Sequence, residues 1–347
     1  MTHPELNERE RKVLEAVIQT YVETAEPAGS RTISRRFQLG VSPATIRNTM
    51  SDLEAKGYLY HPHTSAGRVP TDVAYRLYVD SLMEPAPLSP QEAERLAEEI
   101  TSGGSAIEAI LRKAAQSLSV VAQELGVAIG PRLDHATLQR LELVRASQER
   151  LLLVLTLGGG AVRTIFVEVP GQIAETALAE VTVVLNERLA GLTLRDIRRS
   201  LAARLRDSAR DPGAQELLNV FVQECDQLFD IPMGAADDGV VLGQTSVLAE
   251  QPEFSKGENM RRLLTLTDER QDLAAFLRQR SDSPGIRITI GTENGDPRLA
   301  GFTVVTAEYR TGALSGVIGV IGPTRMPYEK VVALVRHTST LLSDLLQ

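Results

Sequence analysis

Residues 39–70, LGVSPATIRNTMSDLEAKGYLYHPHTSAGRVP, constrain the fold more than any other part of the chain. Ser42 is a favoured helix N-cap, and Pro43 falls at the first helical position, where its missing N–H costs nothing. Ile46, Met50 and Leu53 then recur at helical spacing and predict one buried stripe. The opposite face carries Ala44, Asn48 and Ser51, flanked by Thr45, Arg47 and Asp52. A helix packed inside a core has no use for so small and polar a face. A helix lying in the DNA major groove does, because Asn and Arg pair with base edges while Ala and Thr meet thymine methyls.

The flanking residues complete a module. Leu6, Val13, Leu14, Val17, Ile18 and Tyr21 share one face of a first helix, and residues 30–37 form a second, with Leu39-Gly40 as the turn before the third. Gly57 ends the third helix, and residues 58–60 and 68–70 read as an antiparallel hairpin with its tip at residues 61–67. The pattern predicts a winged helix-turn-helix that binds double-stranded DNA. Base contacts are expected from Ala44, Thr45 and Asn48, with Arg47 at a base or a phosphate, and Ser42 stands with them at the helix start. Arg31, Thr32, His63, Thr64, Ser65 and Arg68 are expected along the DNA backbone. Two such helices related by a two-fold axis require an inverted-repeat operator.

The net charge of −8 opposes DNA binding until it is divided along the chain. Residues 27–76 hold seven basic and three acidic side chains, a local balance of +4, whereas residues 85–347 hold 27 basic and 34 acidic. A basic face on an acidic body suits specific binding and disfavours indiscriminate coating of DNA. The single cysteine, Cys225, excludes an intrachain disulfide and a cysteine zinc site, and sits in an apolar helical run as a packing residue. There is no apolar run of about eighteen residues and no signal-peptide pattern at the charged N-terminus, so a cytoplasmic protein without a membrane partner is expected.

Catalytic chemistry finds no footing. No GxSxG, HExxH or P-loop pattern occurs, and Gly158-Gly159-Gly160 lacks the Lys-Ser or Lys-Thr of a phosphate loop and reads as a hairpin turn. His61 and His63 lack a third nearby ligand, so neither a metal nor any other cofactor is expected. Past a proline-rich linker at residues 84–90, helices are predicted from Gln91 and over residues 105–125. Strands follow at 138–146, 151–157 and 162–169, then helices at 173–189, 195–210 and 214–229, and a strand at 240–248. A helix at 260–280, three strands at 286–290, 301–309 and 314–321, and a closing helix from Tyr328 complete an α+β pattern interrupted by an insertion.

VSPATIRNTMSDLEAKGYL and PHTSAGRVPTDVAYRLYVDSL resemble the heat-inducible transcription repressors of the HrcA type. Near the other end, Thr292-Glu293-Asn294 precedes GALSGVIGVIGPTRMPYEKVV at residues 312–332, which is similar to the C-terminal signature of the same family. The resemblance implies an N-terminal winged helix in residues 1–84, a GAF-like domain in 85–192 and 285–347, and an inserted dimerisation domain in 193–284. It also implies a homodimer that represses chaperone operons at an inverted-repeat CIRCE operator, with chaperonin as a modulating partner. A second reading is a ligand-responsive metabolic regulator with an effector pocket in the GAF-like domain, between its strands and residues 178–189. Glu293 and Asn294, set between Gly291 and Gly295, read as a strand-end turn with room for an inter-domain role.

Overall fold

The computed structural model describes residues 5–346 apart from 64–65, 85, 103–106, 132–135, 159–161, 170, 172, 207, 209–210, 230–238, 256, 281–284 and 312–313. The chain divides into two compact units. One holds Met1–Ile129, Val240–Tyr309 and Val317–Leu345, and the other is mainly Gly130–Gly239.

The first unit opens on three helices and a hairpin. Helix α1 (Glu8–Thr24) starts with a capping box in which the Asn7 side chain accepts from the Glu10 N–H at 3.0 Å and the Glu10 carboxylate accepts from the Asn7 N–H at 2.9 Å. Helices α2 (Ser30–Arg36) and α3 (Pro43–Ala55) follow, and Ser42 caps α3 by accepting from the Thr45 N–H, as its position ahead of Pro43 predicts. Strands β1 (Leu59–Tyr60) and β2 (Val69–Pro70) pair antiparallel, and the Ala28–Arg68 bridge adds a third rung from the α1–α2 link. Leu14, Val17, Ile18, Ile33, Ile46, Met50 and Leu53 are buried together between the helices. Helix α4 (Asp72–Leu77) runs on as a π-helical turn, Tyr78–Leu82.

The remainder of this unit is a sheet with helices on both faces. Helices α5 (Pro90–Thr101) and α6 (Ile107–Ala122) lead into β3 (Leu125–Ile129), a strand that the sequence pattern leaves unassigned after a helix ending at residue 125. Gln123, with φ of 58°, terminates α6, and all five residues of β3 are buried. A strand covered on both faces loses the alternation by which strands are recognised. Leu125, Val127 and Ile129 point into one core, while Gly126 lies against α6 on the other side. A Cβ at Gly126 would fall 2.0 Å from the Ala115 carbonyl oxygen, so only glycine lets the helix sit this close. Gly126→Ala is expected to lower stability by about 1–3 kcal/mol, read as a fall in the denaturant midpoint at unchanged slope.

In the second unit β4 (Leu138–Arg145), β5 (Arg150–Leu157) and β6 (Val162–Glu168) form an antiparallel meander in the order β4-β5-β6. Its inner face, with Leu141, Leu143, Leu151, Leu153, Leu155 and Val167, is covered by α7 (Glu175–Leu189), α8 (Leu194–Leu205), α9 (Pro212–Gln223) and α10 (Cys225–Phe229). Asn186 of α7 serves the edge strand β4 as a surrogate neighbour, accepting from the Leu141 N–H at 2.9 Å and donating to its carbonyl at 2.7 Å. The Gly158-Gly159-Gly160 turn falls largely outside the described residues.

Back in the first unit, β7 (Val240–Leu242) pairs antiparallel with β3, and α11 (Ser246–Ala249) replaces the expected extension of that strand to residue 248. Helices α12 (Gly257–Asp268) and α13 (Arg270–Arg278) cover the face of Leu125 and Val127. Strands β8 (Ile286–Ile290), β9 (Phe302–Thr311) and β10 (Leu314–Pro323) complete a sheet of order β7-β3-β10-β9-β8, and α14 (Tyr328–Leu345) closes the chain.

The helix and strand content agrees with the expected α+β class, but strand pairing draws the unit boundaries elsewhere than the pattern does. Residues 138–189, expected in the GAF-like part, pack with residues 194–229, because β4–β6 bury their inner face against α8 and α9 as well as α7. Residues 240–278, expected in the insertion, join the five-stranded sheet. The compact excursion is thus Gly130–Gly239 rather than 193–284. Leu178, Leu185 and Leu189, the expected wall of an effector pocket, are buried in the core of the second unit.

Candidate nucleic-acid interface

Helix α3 presents the face that the sequence pattern predicts. Ile46, Thr49, Met50 and Leu53 are buried, whereas Ala44, Arg47, Asn48, Ser51 and Asp52 are exposed and Thr45 is half-buried. Neither Arg47 nor Asn48 has a side-chain partner among the described residues, so both are unspent donors on a rigid helix. Ser42 is exposed and occupied as the cap, its hydroxyl 3.1 Å from the Thr45 N–H and 3.0 Å from the Thr45 hydroxyl. Arg31 and Thr32 lie exposed in the first turn of α2, and His63 is exposed on the hairpin. Thr64 and Ser65 lie outside the described residues.

The basic face is smaller than a count of residues suggests. Arg36 pairs with Glu23, and Lys56 reaches the nearly buried Glu10 at 2.8 Å. Arg68 pairs with Glu54 at 2.9 Å with only 12% of its side chain exposed, while Glu54 also takes His61 at 2.6 Å. Arg68, expected along the DNA backbone, thus braces the hairpin against α3. Arg31, Arg35 and Arg47 carry no ion pair among the described residues. Arg35 is a residue the sequence pattern does not single out, although its i, i+4 spacing from Arg31 sets both on one side of α2.

Arg76, the seventh cation of the segment, is spent on partners outside the helix-turn-helix. Its Nε donates to Glu293 Oε1 at 2.9 Å, and its Nη2 donates to Glu293 Oε2 at 2.5 Å and to the Ile288 carbonyl at 2.8 Å. The Asp72 carboxylate accepts from the Thr292 N–H and lies against Gly291, where a Cβ would fall 1.8 Å from Oδ2 and φ is +56°. Arg325 does the same service from the other signature block, donating to the Val22 carbonyl at 2.6 Å and to Glu253 at 2.5 Å. Tyr75 and Tyr328 pack with ring centroids 5.7 Å apart. The blocks around residues 69–80 and 291–328, more than two hundred residues apart in sequence, thus meet and tie the N-terminal helices to the sheet. Asn294 is at once the turn-former expected of it, its amide donating to the carbonyls of Gly291, Leu299 and Phe302 at 2.8–3.0 Å.

Burial raises the Glu293 carboxyl, but the Arg76 guanidinium and the Ile290 N–H outweigh it and hold the group below its usual range. The pair therefore stabilises fully above the ordinary glutamate pKa and loses its contribution as pH falls through the depressed value. Both side chains keep a quarter to a third of their surface, which screens the pair. Glu293→Ala is expected to cost about 1–2 kcal/mol, below the cost of breaking a fully buried pair. Hydrogen exchange should rise across residues 71–83 while the amides of α3 keep their protection. Unchanged exchange in 71–83 would show that the pair does not hold the module.

Among the described residues no three His, Cys, Asp or Glu side chains gather to hold a metal, and no helix is long and apolar enough to cross a membrane. Cys225 is half-buried against the core of the second unit, its thiol 3.8 Å from the Arg198 carbonyl.

Comparison with known proteins converges on one family. Residues 108–332 match the family described as HrcA protein C terminal domain. The chain is 39% identical to the heat-inducible transcription repressor HrcA of Chlorobium chlorochromatii, across 100% of this chain and 99% of the relative. The repressors of the same name from Chlorobium phaeobacteroides and Geobacter sulfurreducens are 40% and 37% identical, each with 99% of both chains covered. A crystal structure described as that of a hypothetical protein superposes with a TM-score of 0.60 over 99% of both chains at 23% identity, a likeness of fold.

Proposed function

Since the chain belongs to the HrcA family of heat-inducible transcription repressors, we propose that it is a dimeric, sequence-specific repressor of chaperone operons. In this reading residues 8–70 act as a winged helix and α3 enters the major groove of an inverted-repeat operator of the CIRCE type. Asn48, Arg47, Ala44 and Thr45 read bases, while Arg31, Arg35, Thr32, His63, Thr64 and Ser65 meet phosphates. The observation that carries this reading is the exposed face of α3, where Arg47 and Asn48 are free donors beside small side chains.

The sequence reading sets the dimer interface in residues 193–284, and we infer that a face of the second unit's sheet serves as an interface. The apolar faces of α8 and α9 are spent within their own unit, where Ile197, Leu201, Leu217 and Phe221 lie in the core. Among the described residues, the outer face of the β4–β6 sheet groups several exposed apolar side chains. Val144, Leu152 and Phe166 stand in one cross-strand row, with Val154 in the next row and Val162 in the one beyond, and Phe166 is 62% exposed. A second copy of the chain covers this face, which sets two recognition helices on one operator.

The aliphatic cores contain few large aromatic anchors, since aromatics are 4% of the chain and tryptophan is absent. A repressor that opens readily on heating is a natural client of chaperonin, which returns it to its DNA-binding form and links chaperonin supply to repression. Footprinting of the chaperone-gene promoters of the source genome, with and without chaperonin, tests the reading. Protection of an inverted repeat that is lost on mild heating and regained with chaperonin is the expected result. Protection that survives heat and ignores chaperonin would remove that partner from the account.

A further inference from the structure

Beside the Arg76–Glu293 pair lies a cleft of about 570 Å3, within the size range of small-molecule sites. Tyr21, Tyr60, Asp72 and Tyr75 line it from the N-terminal helices and hairpin, and Glu253 and Arg325 line it from the sheet side. Arg325 is spent, because its guanidinium already holds Glu253 and the Val22 carbonyl. The Asp72 carboxylate has the Thr292 N–H as a partner but no cation among the described residues, so its charge is the uncompensated one in the cleft. Burial and the nearby Glu293 lift that carboxyl above its ordinary value, as an unpaired charge in this setting requires. The Tyr75 hydroxyl is buried and has no hydrogen-bond partner among the described residues. A buried hydroxyl left unsatisfied is costly, and a ligand that reaches it removes that cost.

Phenol rings attract organic cations to their faces, and a carboxylate without a cationic partner fixes such a cation by charge-assisted hydrogen bonds. We propose that this cleft is a binding site for a small organic cation, a guanidinium or alkylammonium that pairs with Asp72, lies among Tyr21, Tyr60 and Tyr75, and hydrogen-bonds the Tyr75 hydroxyl. The lining comes from both joined blocks, so an occupant spans them and strengthens their attachment. The site is independent of whether α3 binds DNA.

Isothermal titration calorimetry of the full chain with agmatine, at constant ionic strength and without DNA, tests the site. Saturable binding at one agmatine per chain is expected, weakened at least tenfold in Asp72→Asn and severalfold in Tyr75→Phe. Tyr75→Phe removes a single oxygen and leaves the ring packing on Tyr328, so it decides the matter should Asp72→Asn loosen the module. No saturable heat with millimolar agmatine, or equal affinity in the wild type and both variants, would overturn the proposal.

Discussion

Phe166→Asp is expected to turn the proposed dimer into a monomer and to lower operator affinity by about 10²- to 10⁴-fold, the advantage lost when two linked half-sites become independent. Strand register sets the surface concerned. Phe166 lies opposite Leu152, which lies opposite Val144, so the three side chains form a continuous apolar row on the outer face of the meander. A carboxylate in the middle of an interface built on that row would be buried without a partner, a penalty of several kcal/mol. In the monomer the same residue is exposed, so the substitution should leave folding intact. Sedimentation equilibrium reads the first effect, and fluorescence anisotropy on an operator duplex reads the second. A Phe166→Asp protein that stays dimeric at wild-type concentrations would place the interface elsewhere.

Asn48→Ala is expected to cost about 1–3 kcal/mol at each half-site on the operator and almost nothing on random DNA. Asn48 has no partner within the chain among the described residues, so its removal leaves no orphaned group and no cavity. Its effect should appear only where a base edge completes its two hydrogen bonds. Arg31→Ala and Arg35→Ala should behave in the opposite way, weakening all DNA alike and flattening the salt dependence by about one unit each. Competition binding against operator and shuffled duplexes separates the two classes. Equal losses on both duplexes for Asn48→Ala would take that residue out of base reading.

How much of this is legible in the sequence depends on how far apart the deciding residues lie. Helix α3 can be read from its own residues, because Ser42, Pro43 and the Ile46–Met50–Leu53 stripe are local signals. The β4–β6 meander can be read as well, since one face is buried and the other is not, which leaves the alternation in place. Strand β3 cannot, because helices cover both of its faces. The unit boundaries cannot, because β7 joins β3 across more than a hundred residues and no periodicity records that pairing. Sequence separation also hides how small the basic face is. Arg36, Lys56 and Arg76 are neutralised by Glu23, Glu10 and Glu293, none of which lies within residues 27–76. The Thr292-Glu293-Asn294 turn is visible as a turn, but the arginine it holds is not.

Sequence-specific DNA binding by the exposed face of α3 is read from the ratio of two affinities. Anisotropy titrations of the full chain should compare a duplex bearing the inverted repeat from a chaperone promoter with a duplex of the same bases shuffled, at physiological salt. The expected result is a preference of about 10³-fold or more for the inverted repeat, reduced by Asn48→Ala through weaker binding to the repeat alone. Equal affinity for the two duplexes, with the same salt dependence on each, would contradict it.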